Sequence, residues 1–131
     1  MTQDAKSLVH GSLHGSTLLL QIQPAHIRDP ECSATLKQEM IAIADLHKTN
    51  DVLIDFSRVQ FVGSVGVLSL MGLRRHLEHP NIILFGLCNQ LKEVFEVCKM
   101  ISPDPKVEAM FGAVDTLEEA QDLIAIRRDL V

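Results

Sequence analysis

Short apolar runs alternate with amphipathic stretches along the whole chain, and that alternation predicts strands interleaved with helices. Residues 6–11 read as a short strand. His14-Gly15 reads as a turn, and residues 16–23 (STLLLQIQ) form a strand that stops before Pro24. Together they predict an antiparallel hairpin. Asp29-Pro30 opens the first helix, with Asp29 as N-cap and Pro30 at the first helical position, where a missing N–H costs nothing. Cys32, Leu36, Met40 and Ile43 mark its expected apolar face, and it should stop near Asn50. In residues 51–57 (DVLIDFS), Val52, Leu53 and Ile54 are apolar without alternation. Such a run suits a strand covered on both faces, as in a partly parallel sheet.

A loop with apolar anchors follows, Arg58-Val59-Gln60-Phe61-Val62, and then Gly63-Ser64-Val65-Gly66. The second helix is predicted from about residue 64 to 79, with Val67, Leu70, Met71, Leu73 and Leu77 turned inward. Residues 81–87 (NIILFGL) read as the next buried strand. Asn89 can cap a third helix, whose stripe runs through Leu91, Val94, Phe95, Cys98 and Ile101 before Pro103 and Pro105. Residues 107–113 predict one more short strand at an edge. Thr116-Leu117-Glu118-Glu119 is a capping box opening a last helix, with Leu117, Ala120, Leu123 and Ile124 facing the core. The order is thus β-β-α-β-α-β-α-β-α. It predicts an α/β fold, a small mixed sheet covered by about four helices, with right-handed crossovers between parallel strands.

Composition fits that picture. The chain has 131 residues, 47% apolar and 22% charged, which suits one globular core and excludes disorder as its main state. Lys+Arg 12 against Asp+Glu 17 gives a net charge of −5. With no basic block, no Trp and no Tyr, the chain lacks the means to neutralise phosphates or stack bases, so no nucleic-acid partner is expected. No apolar run approaches the ~20 residues of a membrane span, and residues 1–11 lack the apolar core of a secretory signal, so a cytoplasmic location is expected. Cys32, Cys88 and Cys98 form an odd set without a CxxC pair and read as small buried hydrophobes in a reducing compartment. Of six histidines, only His76 and His79 have helical spacing for a shared ligand. With no third ligand nearby, no metal site and no cofactor are expected.

Catalytic sets are equally sparse. Gly63-Ser64-Val65-Gly66 lacks the G-x-S-x-G spacing of a nucleophile elbow, and no His or acid pairs with Ser64 by chain order. There is no Walker A motif and no G-x-G-x-x-G, so nothing points to an enzyme. What stands out is a serine at a helix start after a buried strand. Free N–H groups and the positive dipole end favour an anion there, and a phosphoserine at that place would leave the helix intact. A plain capping role for Ser64 accounts for the same residue.

The segment Asp55-Phe56-Ser57-Arg58-Val59-Gln60-Phe61-Val62-Gly63-Ser64-Val65-Gly66-Val67-Leu68 resembles the signature of the STAS domain, a family that includes bacterial anti-sigma factor antagonists and the cytoplasmic tails of sulphate transporters. The resemblance runs from about residue 7 to 126. It implies a STAS-like fold for residues 6–131, with residues 1–5 as a tail. It makes Ser64 the phosphorylation site and Asp29, Gly63, Ser64, Val65 and Gly66 the partner-binding positions, Gly66 by allowing close backbone approach. Asp55 matches the strand-end acid, for which a loop-capping role is expected. Where the family has an acid before the acceptor, this chain has Gly63, and Val65 replaces a small polar residue. The implied partner is an anti-sigma factor or serine kinase of the histidine-kinase-like ATPase fold, with a phosphatase to reverse the modification. The alternative is an unmodified scaffold or an accessory subunit of a transport or sensory complex, which Gly63 makes credible.

Overall fold

The computed structural model describes residues 7–104 and 109–129. The first hairpin forms as expected: β1 (Val9–His14) turns at Gly15 and pairs antiparallel with β2 (Thr17–Ile22). Gly15 has φ +64°, which glycine adopts without strain. A two-residue strand, β3 (His26–Ile27), precedes α1 (Pro30–His47), and β4 (Asp51–Asp55) follows. A second two-residue strand, β5 (Phe61–Val62), leads directly into α2 (Ser64–His76). Then come β6 (Asn81–Phe85), α3 (Asn89–Val97), β7 (Gly112–Val114) and α4 (Leu117–Asp129). The main sheet has the order β1-β2-β4-β6-β7, antiparallel only between β1 and β2, so the mixed α/β architecture is the one expected.

The consecutive apolar residues of β2, β4 and β6 are buried on both faces. Leu18, Leu20, Val52, Ile54, Ile82 and Leu84 point toward α1, α2 and α3. Leu19, Leu53, Ile83 and Phe85 point toward Ala120 and Ile124 of α4. Phe56 and Phe95 meet edge to face on the larger side, with ring centroids 5.9 Å apart. On the other side α4 is anchored at both ends. Thr116 and Glu119 form the capping box reciprocally, the Glu119 N–H donating to Thr116 Oγ1 and the Thr116 N–H to Glu119 Oε1, both at 3.2 Å. Arg128 donates from Nε to Asp51 Oδ2 at 2.7 Å and from Nη2 to Thr17 Oγ1 at 2.8 Å, which pins the helix end to the starts of β2 and β4.

Several helix faces differ from the pattern read off the sequence. In α1 the buried residues are Ser33, Leu36, Met40 and Ala44, while Cys32 and Ile43 are half-buried. The reason is close packing on α2, where Ser69 Oγ donates to the Ser33 carbonyl at 2.6 Å. Small residues let the helices approach there, and hydrophobicity does not register them. α2 ends at His76 instead of near residue 79, with Leu77 already extended. His76 pairs with Asp45 at 2.7 Å, and the helical spacing expected between His76 and His79 is absent. α3 ends at Val97, because the chain turns back through Lys99 at φ +60° and buries Ile101 from the loop. Val94 and Cys98 are consequently exposed, and Leu117 at the start of α4 is 37% exposed. The predicted 107–113 strand is shifted to Gly112–Val114, at the sheet edge as expected; its first two residues lie outside the described ones.

The short strands β3 and β5 were not legible as strands. They pair with each other in parallel, His26 opposite Phe61 and Ile27 opposite Val62, as a separate two-stranded sheet. The Gly63 N–H continues the ladder to the Ile27 carbonyl at 2.8 Å. Ile27 and Val62 are buried against Gly66 of α2, where a Cβ would lie 2.6 Å from Val62 Cγ1 and 2.9 Å from Ile27 Cγ2.

Two stability outcomes follow. Gly66→Ala gains about 1 kcal/mol of helix propensity but overpacks a filled contact at about 1–3 kcal/mol. The expected result is a lower urea midpoint, with the loss partly recovered in Gly66→Ala/Val62→Ala; a raised midpoint for Gly66→Ala would contradict the packing. Ile124→Ala removes the centre of the α4 layer and should cost about 2–5 kcal/mol in the same measurement.

Candidate functional site

α1 and α2 lie parallel, because each connects parallel strands on the same side of the sheet. Ser33 faces Ser69, Lys37 lies over Gly72, and Asp45 meets His76. Their N-termini therefore sit together at one end of the molecule. The β3–β5 ladder fixes the loop before α1 against the loop before α2: a Cβ on Gly63 would be 3.6 Å from the carbonyl oxygens of Ile27 and Arg28.

Asp29 is the N-cap of α1, its Oδ1 accepting from the Cys32 N–H at 2.6 Å. The loop that ends at Asp29 lies beside Gly63 through the Ile27 and Arg28 carbonyls, with the Asp29 carboxylate engaged in capping. Burial, helped by the Asp29 charge, pushes the Cys32 thiol above its usual range, so it stays protonated at neutral pH. Gly63 is the N-cap of α2, and with no side chain it makes no capping bond. Ser64 is the first helical residue, exposed, with no hydrogen bond to its hydroxyl among the described residues. The sequence left Ser64 as either the cap or the residue after it, and the structure makes it the latter. Val65 is half-buried, and its carbonyl accepts from Ser69 Oγ at 3.3 Å. Asp55 closes a turn at the end of β4, its Oδ1 accepting from the Ser57 N–H at 2.8 Å.

Gly66 is buried, and its missing side chain makes room for Ile27 and Val62 of the same chain.

Three residues unmarked by the sequence reading border the serine. Phe61 is 45% exposed, and its ring edge would lie 3.7 Å from a Cβ on Gly63. The Arg28 guanidinium stands over that ring, 5.4 Å from its centroid. Leu68 shares the helix face of Ser64, four residues on, and is 61% exposed. The signal available in the sequence was Phe61 and Leu68 flanking the motif out of phase with its buried residues. Phe61, Ser64 and Leu68 are thus three exposed side chains within eight residues at the start of α2.

Two cavities lie elsewhere on the described residues, one of them beside the Asp45–His76 pair. The other, of about 350 Å³ between α3 and the start of α4, is lined by Leu87, Lys92, Ile101, Asp115 and Glu119 and shares no residue with the motif. Its Lys92 ammonium is tied to Asp115 at 2.8 Å, and that hydrogen bond holds it above the usual lysine range. Among the described residues, no three His, Cys, Asp or Glu side chains gather as metal ligands, and no helix is long and apolar enough to cross a membrane.

No family model and no curated protein matches the sequence. Solved structures do match the fold. An anti-sigma factor antagonist from Mycobacterium paratuberculosis superposes with a TM-score of 0.74 at 17% identity, covering 95% of this chain and 99% of that one. RsbS from Moorella thermoacetica gives 0.69 at 13% identity, over 92% and 97%. The Bacillus cell fate determinant SpoIIAA, in its phosphorylated form, gives 0.63 at 19% identity, over 88% and 98%. At these identities the likeness is one of fold, and it extends over nearly the whole of each chain: the protein has the STAS fold of the anti-sigma factor antagonists.

Proposed function

We propose that the chain, over residues 6–131, is a cytoplasmic regulatory binding module of the anti-sigma factor antagonist kind, switched by phosphorylation of Ser64. The observation that carries this reading is Ser64 itself: exposed, unbonded, at the first position of α2 and bordered by exposed Phe61 and Leu68. The partner is an anti-sigma factor or serine kinase of the histidine-kinase-like ATPase fold. In the modification, Ser64 Oγ takes the γ-phosphoryl group of ATP, ADP leaves, and the hydroxyl proton passes to the kinase's base. A phosphatase restores the hydroxyl by hydrolysis. The phosphate brings about −1.5 to −2 charges to a surface that docks closely, and the helix N-terminus tolerates them, so binding changes while the fold does not.

A second reading is an unmodified scaffold or accessory subunit of a transport or sensory complex. Gly63 favours it, because the recognition surface lacks the acid that precedes the acceptor in the STAS pattern.

Titration calorimetry against the ATPase-fold partner, identified by proximity labelling in the native cell, separates the two. Ser64→Ala should bind as the wild type and change stability by less than about 0.5 kcal/mol, since its hydroxyl caps nothing. Ser64→Asp should bind at least about tenfold more weakly, about 1.4 kcal/mol. Equal affinities, with no phosphate on Ser64 in cell-derived protein, would leave the scaffold reading.

A further inference from the structure

Four of the lysines and arginines among the described residues donate side-chain hydrogen bonds. Arg58 donates to Gln23 Oε1 at 2.7 Å, Arg74 to the Met110 carbonyl at 3.0 Å, Lys92 to Asp115, and Arg128 to Asp51 and Thr17. Arg28 differs. Among the described residues it makes no ion pair and no side-chain hydrogen bond, and it rests on the Phe61 ring. That ring and the carbonyl oxygens of Ile27 and Arg28 border position 63, each at ordinary van der Waals distance from where a Cβ would be. Residue 63 is glycine and adds no side chain beside the ring that carries the guanidinium, and Ser64 is the next residue in the chain.

We infer that Arg28 is the internal counter-ion of phosphorylated Ser64: its guanidinium leaves the Phe61 ring and closes on the phosphate across the space above Gly63. This rests on the reading of Ser64 as a modified residue and specifies how the modification acts. The energetics favour the exchange. A cation over an exposed ring gains about 0.5–1 kcal/mol. The guanidinium fork matches phosphate oxygens in two parallel charge-assisted bonds, roughly twice as strong as neutral ones. The modified surface then differs from the unmodified one in two ways. Its phosphate is partly neutralised from within, and Phe61 loses the cation that covered it. A partner that recognises the Arg28–Phe61 pair loses that pair in one step.

The test uses the whole chain with phosphoserine incorporated at position 64 during synthesis, followed by phosphorus NMR through the second phosphate ionisation. Other ionisable groups on the adjoining elements are His26 on β3, Asp29 and Glu31 at the start of α1, and Lys92, Glu93 and Glu96 on α3, Lys92 being paired with Asp115. His26 is the ionisable side chain opposite Phe61 in the ladder, so every variant carries His26→Gln. The midpoint is expected below the ~6 of a free phosphoserine. Arg28→Gln should raise it by about half a unit or more, and Arg28→Lys should restore part of the difference. Gly63→Asp, whose Cβ fits at ordinary contact distance, should also raise it by placing a competing carboxylate beside the guanidinium. The Arg28 Nε–H resonance should move downfield on phosphorylation in the otherwise wild-type chain. Identical midpoints for the Arg28 and Arg28→Gln chains, both folded by their amide spectra, would overturn the assignment. Because the phosphate is installed without a kinase, that failure is distinct from finding no phosphate on Ser64 in cells, which would overturn the functional reading alone.

Discussion

The contact of Ile27 and Val62 with the bare face of Gly66 is the constraint on which the candidate site depends. A ladder of two residues per strand has too few hydrogen bonds and too little buried area to stand alone. It persists here because both of its inward side chains fill space that α2 leaves open at a single glycine. That packing holds the loop before α1 against the loop before α2, and the Gly63 N–H bond to Ile27 extends the lock to the residue before Ser64. The larger framework supplies only the approximate placement. Parallel strands β2, β4 and β6 oblige α1 and α2 to run parallel on one side, which puts their N-termini at the same end.

The main sheet was legible because β2, β4 and β6 carry unbroken apolar runs, and a strand buried on both faces has no other way to be written. The start of α1 was legible because Asp29 and Pro30 each satisfy a local requirement of a helix end, as Thr116 and Glu119 do for α4. The elements that failed to show are those fixed by tertiary contact. β3 and β5 are too short to carry a period. Ser33 and Ala44 are buried because two helices approach closely, a fact about the partner helix that no hydrophobic pattern contains. α3 stops early because Lys99 turns the chain left-handed, so the apolar stripe continues into a loop.

The motif was legible as a resemblance and its meaning was divided by the structure. Asp29 and Asp55 both use their carboxylates on backbone N–H groups of their own turns. Gly66 serves internal packing. Ser64 remains as a side chain without a hydrogen bond among the described residues, Leu68 follows it four residues on along α2, and the β3–β5 ladder sets the Arg28 segment against Phe61. Arg28 in particular could not be found from the sequence, since its position over Phe61 depends on the register of a ladder between segments over thirty residues apart.

Along residues 61–68 the side chains that hold the fold and those that face solvent are interleaved. Val62, Gly66 and Val67 are buried, and Phe61, Ser64 and Leu68 are exposed. A change confined to the exposed set alters shape and charge at the surface while Val62, Gly66 and Val67 keep their core contacts. Gly63 extends the separation. As a helix cap, glycine falls only a few tenths of a kcal/mol short of serine or aspartate, so α2 forms without a side chain there. The side-chain position left vacant adjoins the Phe61 ring on which Arg28 rests. A carboxylate at that position would supply the cap and add a negative charge near the Arg28–Phe61 pair; with glycine the first turn of α2 carries no acid, and Ser64 is left exposed and unbonded among the described residues.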